Sequence, residues 1–338
     1  MDILKAIKNN RKGIMGFAAL WIMILHIWYP FFGEINKQLA FIESVVIGSG
    51  YTGVDILLFL SGMGLYFSLK RNNVLTFYTN RLKRIFVPII LTALMYSLVQ
   101  KWDISLFINN VLGINFYREN IYCFLWFFTA IETLYLLFPI YFHFFEKFEK
   151  KSMFTMFVLV IWLILVLCNK SVIRKDLFVF INRIPVFCLG VLLGYYETKE
   201  TRINNTKLAI LLNVILLLFG LYEMHLCHDY NHYILVPYSS NFLPTLIITL
   251  SLVPLLSIVF EKMTVLKKLF SILGTMSLEL YCLQELINYL IRDNISKLIK
   301  SVFVQNVIMA LIVLILSYFF YKITNSISNL IFRKKTNQ

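Results

Sequence analysis

Ile14-Met-Gly-Phe-Ala-Ala-Leu-Trp-Ile-Met-Ile-Leu-His26 decides how the chain reads. The run is apolar on every side, so it has no polar face to turn toward water, and it ends on one histidine. With the residues up to Tyr29 it is long enough to be the first of several membrane spans. Lys5, Lys8, Arg11 and Lys12 precede it, as in a signal peptide. No small-residue cleavage site follows, and more apolar runs come after it, so the expectation is an uncleaved first helix.

The rest of the 338 residues agree: 59% are hydrophobic and only 15% are charged. Soluble domains average about 45–50% apolar and about 25% charged, so a soluble globular enzyme and a disordered chain are both excluded. The expected class is all-α, a polytopic transmembrane helix bundle without a soluble domain, forming one unit over residues 1–338. Segments of roughly 20 residues cross a bilayer core of about 30 Å. About ten such segments are expected, near residues 13–29, 46–69, 85–101, 121–145, 153–169, 177–196, 208–224, 242–260, 269–291 and 303–322.

Net charge is +14. In a soluble protein that excess points to nucleic acid, but here the basic residues lie between apolar runs rather than on one stripe. No nucleic-acid partner is expected. With the N-terminus inside, 22 of the 32 Lys and Arg residues fall on inner segments. The excess therefore sets sidedness beside anionic membrane lipids and places both termini in the cytoplasm.

An ionisable group in hydrocarbon is costly and marks a candidate site. His26, Asp55, Glu132, Arg183, Glu279 and Glu285 are the residues concerned. His26 can exchange a proton near neutral pH. Asp55, in Gly53-Val-Asp-Ile-Leu-Leu-Phe-Leu-Ser61-Gly62, is a carboxylate able to orient and charge an imidazole. Ser61 and Gly62 permit close helix approach. Arg183 is the expected counter-ion of Glu132, or a phosphate ligand; these charges and Glu279 can equally neutralise one another. Arg81 and Arg84 share a helix face at the entry to the third span, where they meet lipid headgroups or a phosphate-bearing ligand. Arg11 is either a phosphate ligand or a positive-inside anchor. His225, His228 and His232 crowd an outer loop, but the loop is short and no metal is expected. No nucleotide-binding glycine motif or hydrolase motif is present.

The ordered motifs resemble the acyltransferase type 3 family, the multi-pass bacterial membrane O-acyltransferases. The resemblance rests on the first helix ending in His26, on Gly53-Val-Asp55…Phe59-Leu-Ser61-Gly62, and on Phe77…Arg81…Arg84-Ile…Pro88. It continues through Leu125-Trp126…Glu132…Tyr135-Leu-Leu-Phe-Pro139, Arg183-Ile-Pro185-Val-Phe…Leu189-Gly190 and Leu273-Gly274…Ser277-Leu-Glu279-Leu-Tyr281. It implies transfer of an acetyl or other acyl group from cytosolic acetyl-CoA (acyl-CoA) to a hydroxyl of an extracytoplasmic carbohydrate acceptor, at the bacterial cell membrane. No cofactor is implied as permanently bound. His26 is then the base or transient acyl carrier beside Asp55, and Arg81, Arg84, Arg11 and Arg183 face the donor. Glu132, Ser61 and Glu279 line the polar cavity. Three positions depart from the pattern. Met15 stands where the family has a basic residue, Ile131 replaces one of two adjacent acids, and Gln284 stands where a histidine is frequent. The rival reading is a polysaccharide-precursor transporter or flippase that transfers no acyl group.

Overall fold

The computed structural model describes residues 2–118, 126–169, 173–201, 207–230 and 242–332. Among these it contains helices and no β-strand. Helix α1 (Ile3–Ile27) is followed by a 3-10 turn (Phe32–Glu34) and by α2 (Lys37–Gly48), α3 (Thr52–Arg71) and α4 (Val74–Gln100). Two short helices, α5 (Ile104–Val111) and α6 (Ile114–Arg118), lead to α7 (Trp126–Lys147) and α8 (Lys151–Cys168). The chain continues through α9 (Lys175–Ile181), α10 (Ile184–Thr198), α11 (Lys207–Tyr230), α12 (Phe242–Lys262) and α13 (Thr264–Thr275). It closes with α14 (Ser277–Leu298) and α15 (Val302–Ile331).

Short polar side chains set the starts. Asp2, Asn36, Asn73, Asp103 and Ser301 each accept a hydrogen bond from a backbone N–H in the first turn of α1, α2, α4, α5 and α15. Such caps satisfy donors that a helix cannot pair internally.

Eight runs are long and apolar enough to cross a membrane, with α2–α3 counted as Lys37–Arg71 and α9–α10 as Leu177–Thr198. Of the ten expected segments, the other two correspond to α1 and to α13–α14; α1 and α14 are as long as the eight but more polar. Three boundaries also change. The run near 269–291 is two helices broken at Met276, and the run near 177–196 is broken at Asn182–Arg183. The third span begins at Val74, not near 85, because Asn73 caps it there. Arg81 and Arg84 are therefore helical residues, while the start of the segment near 121–145 lies outside the described residues.

Helix α1 is the centre of the bundle, contacting α3, α12, α13, α14 and α15. Ile14, Ala18, Ile22 and Ile27 are fully buried along its length. Helices α8 and α11 form the periphery and expose Met156, Phe157, Ile164, Leu211 and Leu218. Two close approaches hold the centre. The hydrogen at Gly16 faces the Phe270 carbonyl, and that at Gly274 faces the Lys12 carbonyl, so α1 and α13 touch backbone to backbone. Gly62 and Gly190 do the same for α3 and α10. Without a hydrophobic drive between helices in lipid, such contacts carry the packing. A Cβ at Gly274 overlaps the Lys12 carbonyl, whereas one at Gly33 meets nothing within 4 Å. Gly274→Ala is expected to lose about 1–3 kcal/mol, seen as a lower Tm in detergent, with Gly33→Ala unchanged.

Candidate active site

A cavity of about 400 Å³ opens at the end of the bundle that holds residues 2–12 and 321–332. Arg11, Ser61, Arg81 and Arg84, all expected site residues, line it together with Met15, Phe127 and Tyr135. Tyr321 and Asn325 of α15 complete the wall. Their spacing puts both on one face of the last helix, a polar interruption that is legible in the sequence.

The three arginines are held differently. Arg11 Nε donates to the Leu60 carbonyl at 2.9 Å, and its guanidinium lies against Gly64, where any side chain would collide with it. Arg81 Nη2 donates to Ser68 Oγ at 3.3 Å, and its guanidinium sits over the Phe77 and Tyr135 rings at 5.6 and 5.7 Å. Arg84 is paired. Its Nη1 and Nη2 lie 2.8 and 3.2 Å from the two oxygens of Glu279, which is fully buried and also accepts from Thr324 Oγ1. Of the three, only Arg84 has its charge balanced by a carboxylate among the described residues. Glu132, Arg183 and Glu279, expected to neutralise one another, do not: Glu279 pairs with Arg84 instead. A smaller cavity of about 210 Å³ lies behind this pair, lined by Lys83, Thr324 and Ser328.

His26 stands at the other end of α1. Its Nδ1 is 2.9 Å from Glu285 Oε1 of α14, with 27% and 33% of the two side chains exposed. Asn288 Nδ2 donates to the His26 carbonyl at 3.2 Å, and Arg292 Nη1 to the Ile27 carbonyl at 3.1 Å. These bonds satisfy carbonyls that the end of α1 leaves open, and a cation there opposes the negative helix terminus. Arg292 Nη2 reaches Asn306 Oδ1 of α15, which also accepts from the Tyr29 N–H. Arg292, just beyond the run expected near 269–291, is thus a buried helical residue. Glu285, Asn288 and Arg292 share one helix face, a pattern visible in the sequence once α14 is known to run to Leu298.

Asp55 does not face His26. Helices α1 and α3 run antiparallel, with Gly53 beside Ala18 and Ile22. Asp55 therefore lies level with the middle of α1, at least about 12 Å along the axis from His26. Its Oδ2 lies 3.5 Å from Arg183 Nε, both side chains being buried. Arg183 also donates to the Val179 carbonyl and stacks over Trp126 at 5.3 Å. Arg183 is thus the counter-ion of Asp55 and not of Glu132; it is not among the residues lining the cavity. Glu132 is half-buried and has no ion-pair partner among the described residues. His225, expected in an outer loop, is instead a residue of α11 and packs edge-on against Phe41 at 4.8 Å. His232 and the side chain of His228 lie outside the described residues. Among the described residues no group of three or more His, Cys, Asp or Glu is placed to hold a metal ion.

The fold and these two polar regions define a polytopic membrane protein built around a basic cavity and a half-buried histidine–carboxylate pair. A family model described as an acyltransferase domain matches residues 13–322, and the chain belongs to that family, the acyltransferase type 3 proteins. No curated protein and no solved structure matches it.

Proposed function

We propose that this membrane acyltransferase moves an acetyl or similar acyl group from cytosolic acyl-CoA to a hydroxyl of an extracytoplasmic glycan or lipid-linked sugar. The observation that carries the reading is the His26 Nδ1–Glu285 contact of 2.9 Å. A carboxylate on Nδ1 fixes the tautomer and leaves Nε2 free to accept a proton. The resemblance paired His26 with Asp55; the proposal assigns that role to Glu285 and gives Asp55 a structural one, neutralising Arg183.

In this scheme His26 Nε2 takes the proton of the acceptor hydroxyl as its oxygen attacks the thioester carbonyl. The carbon–sulfur bond breaks, and the departing thiolate receives that proton from the imidazolium. An ester and free CoA result, with no other reactant. The thioester is already activated, so positioning and one general base supply much of the acceleration.

Arg11 and Arg81 are the cavity arginines whose charge is left for a ligand. A guanidinium suits phosphate, and the donor carries phosphates at the end remote from its thioester. The basic residues of the cavity end favour a cytoplasmic face for it, and the inner bacterial membrane as the location. Arg81→Gln is expected to raise KM for acyl-CoA about tenfold, the usual worth of a hydrogen bond to a charged group, with the KM for acceptor unchanged.

Mass spectrometry of surface glycans from cells with and without the protein tests the proposal. An acyl substituent should disappear with the protein and stay absent when His26→Ala is supplied at normal levels. Identical glycans in all three strains would contradict it.

A further inference from the structure

A polar stripe joins the two regions. Ser277, Tyr281, Gln284, Asn288 and Arg292 recur on α14 at three- and four-residue steps and so share one face. The functions of its ends are given by contacts: Ser277 lines the basic cavity, while Asn288 and Arg292 hold the last turn of α1. Gln284, between them, is fully buried, and neither its Oε1 nor its Nε2 has a hydrogen-bond partner among the described residues. A buried amide left unpaired on both atoms is costly, and natural proteins rarely leave one without a reason.

The level of Gln284 in the bundle follows from register. Helices α13 and α14 run parallel to α1, with Gly274 against the Lys12 carbonyl and Asn288 on the His26 carbonyl. Gln284 therefore lies level with Ile22, one turn below His26. It is about 10 Å above Ser277 along the axis, at 1.5 Å per residue. A group passing from the cavity to His26 along this face must pass it.

A glutamine amide offers both an acceptor and donors, and its best complement is another amide. Resting on the acyl-CoA reading above, we propose that Gln284 is a donor-binding residue. It hydrogen-bonds an amide of the arm that links the phosphates of acyl-CoA to the thioester, as the arm reaches from Arg11 and Arg81 toward His26. The pairing matters most when the thioester is engaged, because the buried side chain is otherwise unsatisfied.

The test uses the full-length purified protein and three donors: acyl-CoA, and two analogues in which one or the other arm amide N–H is replaced by a methylene. Wild type should lose about tenfold in kcat/KM with one analogue, the scale of one buried hydrogen bond. Gln284→Leu and the volume-matched Gln284→Met should lose about tenfold with acyl-CoA, show no further loss with that analogue, and keep the acceptor KM. Wild type indifferent to both analogues overturns the proposal, and this measurement needs no variant to fold. So does a variant that still discriminates between the donors, the behaviour expected if Gln284 only holds water or shapes the bundle. Failure of the underlying reading looks different: wild type then transfers from none of the three donors.

Discussion

His26→Ala is expected to lower kcat for acyl transfer by about 10³-fold, within the span a positioned general base supplies. The protein should still fold. His26 is about a quarter exposed, and its contacts to Glu285 and Asn288 lie at the end of α1 rather than in the packed middle. The backbone carbonyl that Asn288 holds is unchanged by the substitution. Acyl-CoA binding should therefore persist, because Arg11 and Arg81 belong to the cavity at the far end of the same helix. Glu285→Gln keeps the shape and removes the negative charge that fixes the imidazole, so it is expected to cost about 10²-fold with the donor KM unchanged. Activity assays on the purified variants, with binding of acyl-CoA measured separately, check both. An Asp55→Asn variant that loses activity while Glu285→Gln keeps it would return the partner role to Asp55.

Arg84→Ala is expected to have the largest effect on stability, about 1–3 kcal/mol, because it strands the fully buried Glu279, while Arg84 itself is partly exposed and its share is screened. Glu279 is fully buried and takes two bonds from Arg84 and one from Thr324. Removing the guanidinium leaves a carboxylate in the bundle with one neutral donor. The pair joins α4 to α14, and Thr324 adds α15, so three helices loosen at once. Thermal unfolding in detergent reads the loss. The double variant Arg84→Met, Glu279→Leu removes both charges and is expected to recover most of it. If the double variant is no more stable than Arg84→Ala, the pair is not what holds these helices.

The two arginines at the entry to the third span thus divide. Arg84 is occupied in holding the bundle, and Arg81, with Arg11, is left facing the cavity. Sequence alone could not make that division. Intramembrane charges are conspicuous because hydrocarbon disfavours them, so His26, Asp55, Arg183, Glu279 and Glu285 were all legible as candidates. Their pairing was not. It depends on the antiparallel register of α1 and α3, which sets Gly53 beside Ala18 and Ile22 and carries Asp55 away from His26. It depends equally on the parallel register of α1 and α14, which brings Glu285 to His26.

The same limit applies to the fold. Apolar runs located most spans, since length and hydropathy are local properties. The break at Met276 is set by tertiary packing, whereas the one at Asn182–Arg183 is a polar step followed by Pro185 in the first turn of α10. Gly274, two residues before the first break, lies against the backbone of α1. Arg183, at the second, turns inward to Asp55. Helix α14 runs beyond its apolar stretch because Arg292 is held by the Ile27 carbonyl and Asn306, partners that no local sequence pattern reveals.

Release of CoA by the purified protein in lipid vesicles is the most direct test of acyl transfer as its activity. Acyl-CoA is presented on the face bearing the basic cavity and a carbohydrate acceptor on the other. Free thiol should appear only when both are present, in step with ester on the acceptor, and His26→Ala should slow its release about 10³-fold. Movement of the carbohydrate across the vesicle membrane without any release of CoA would contradict the account and identify a transporter instead.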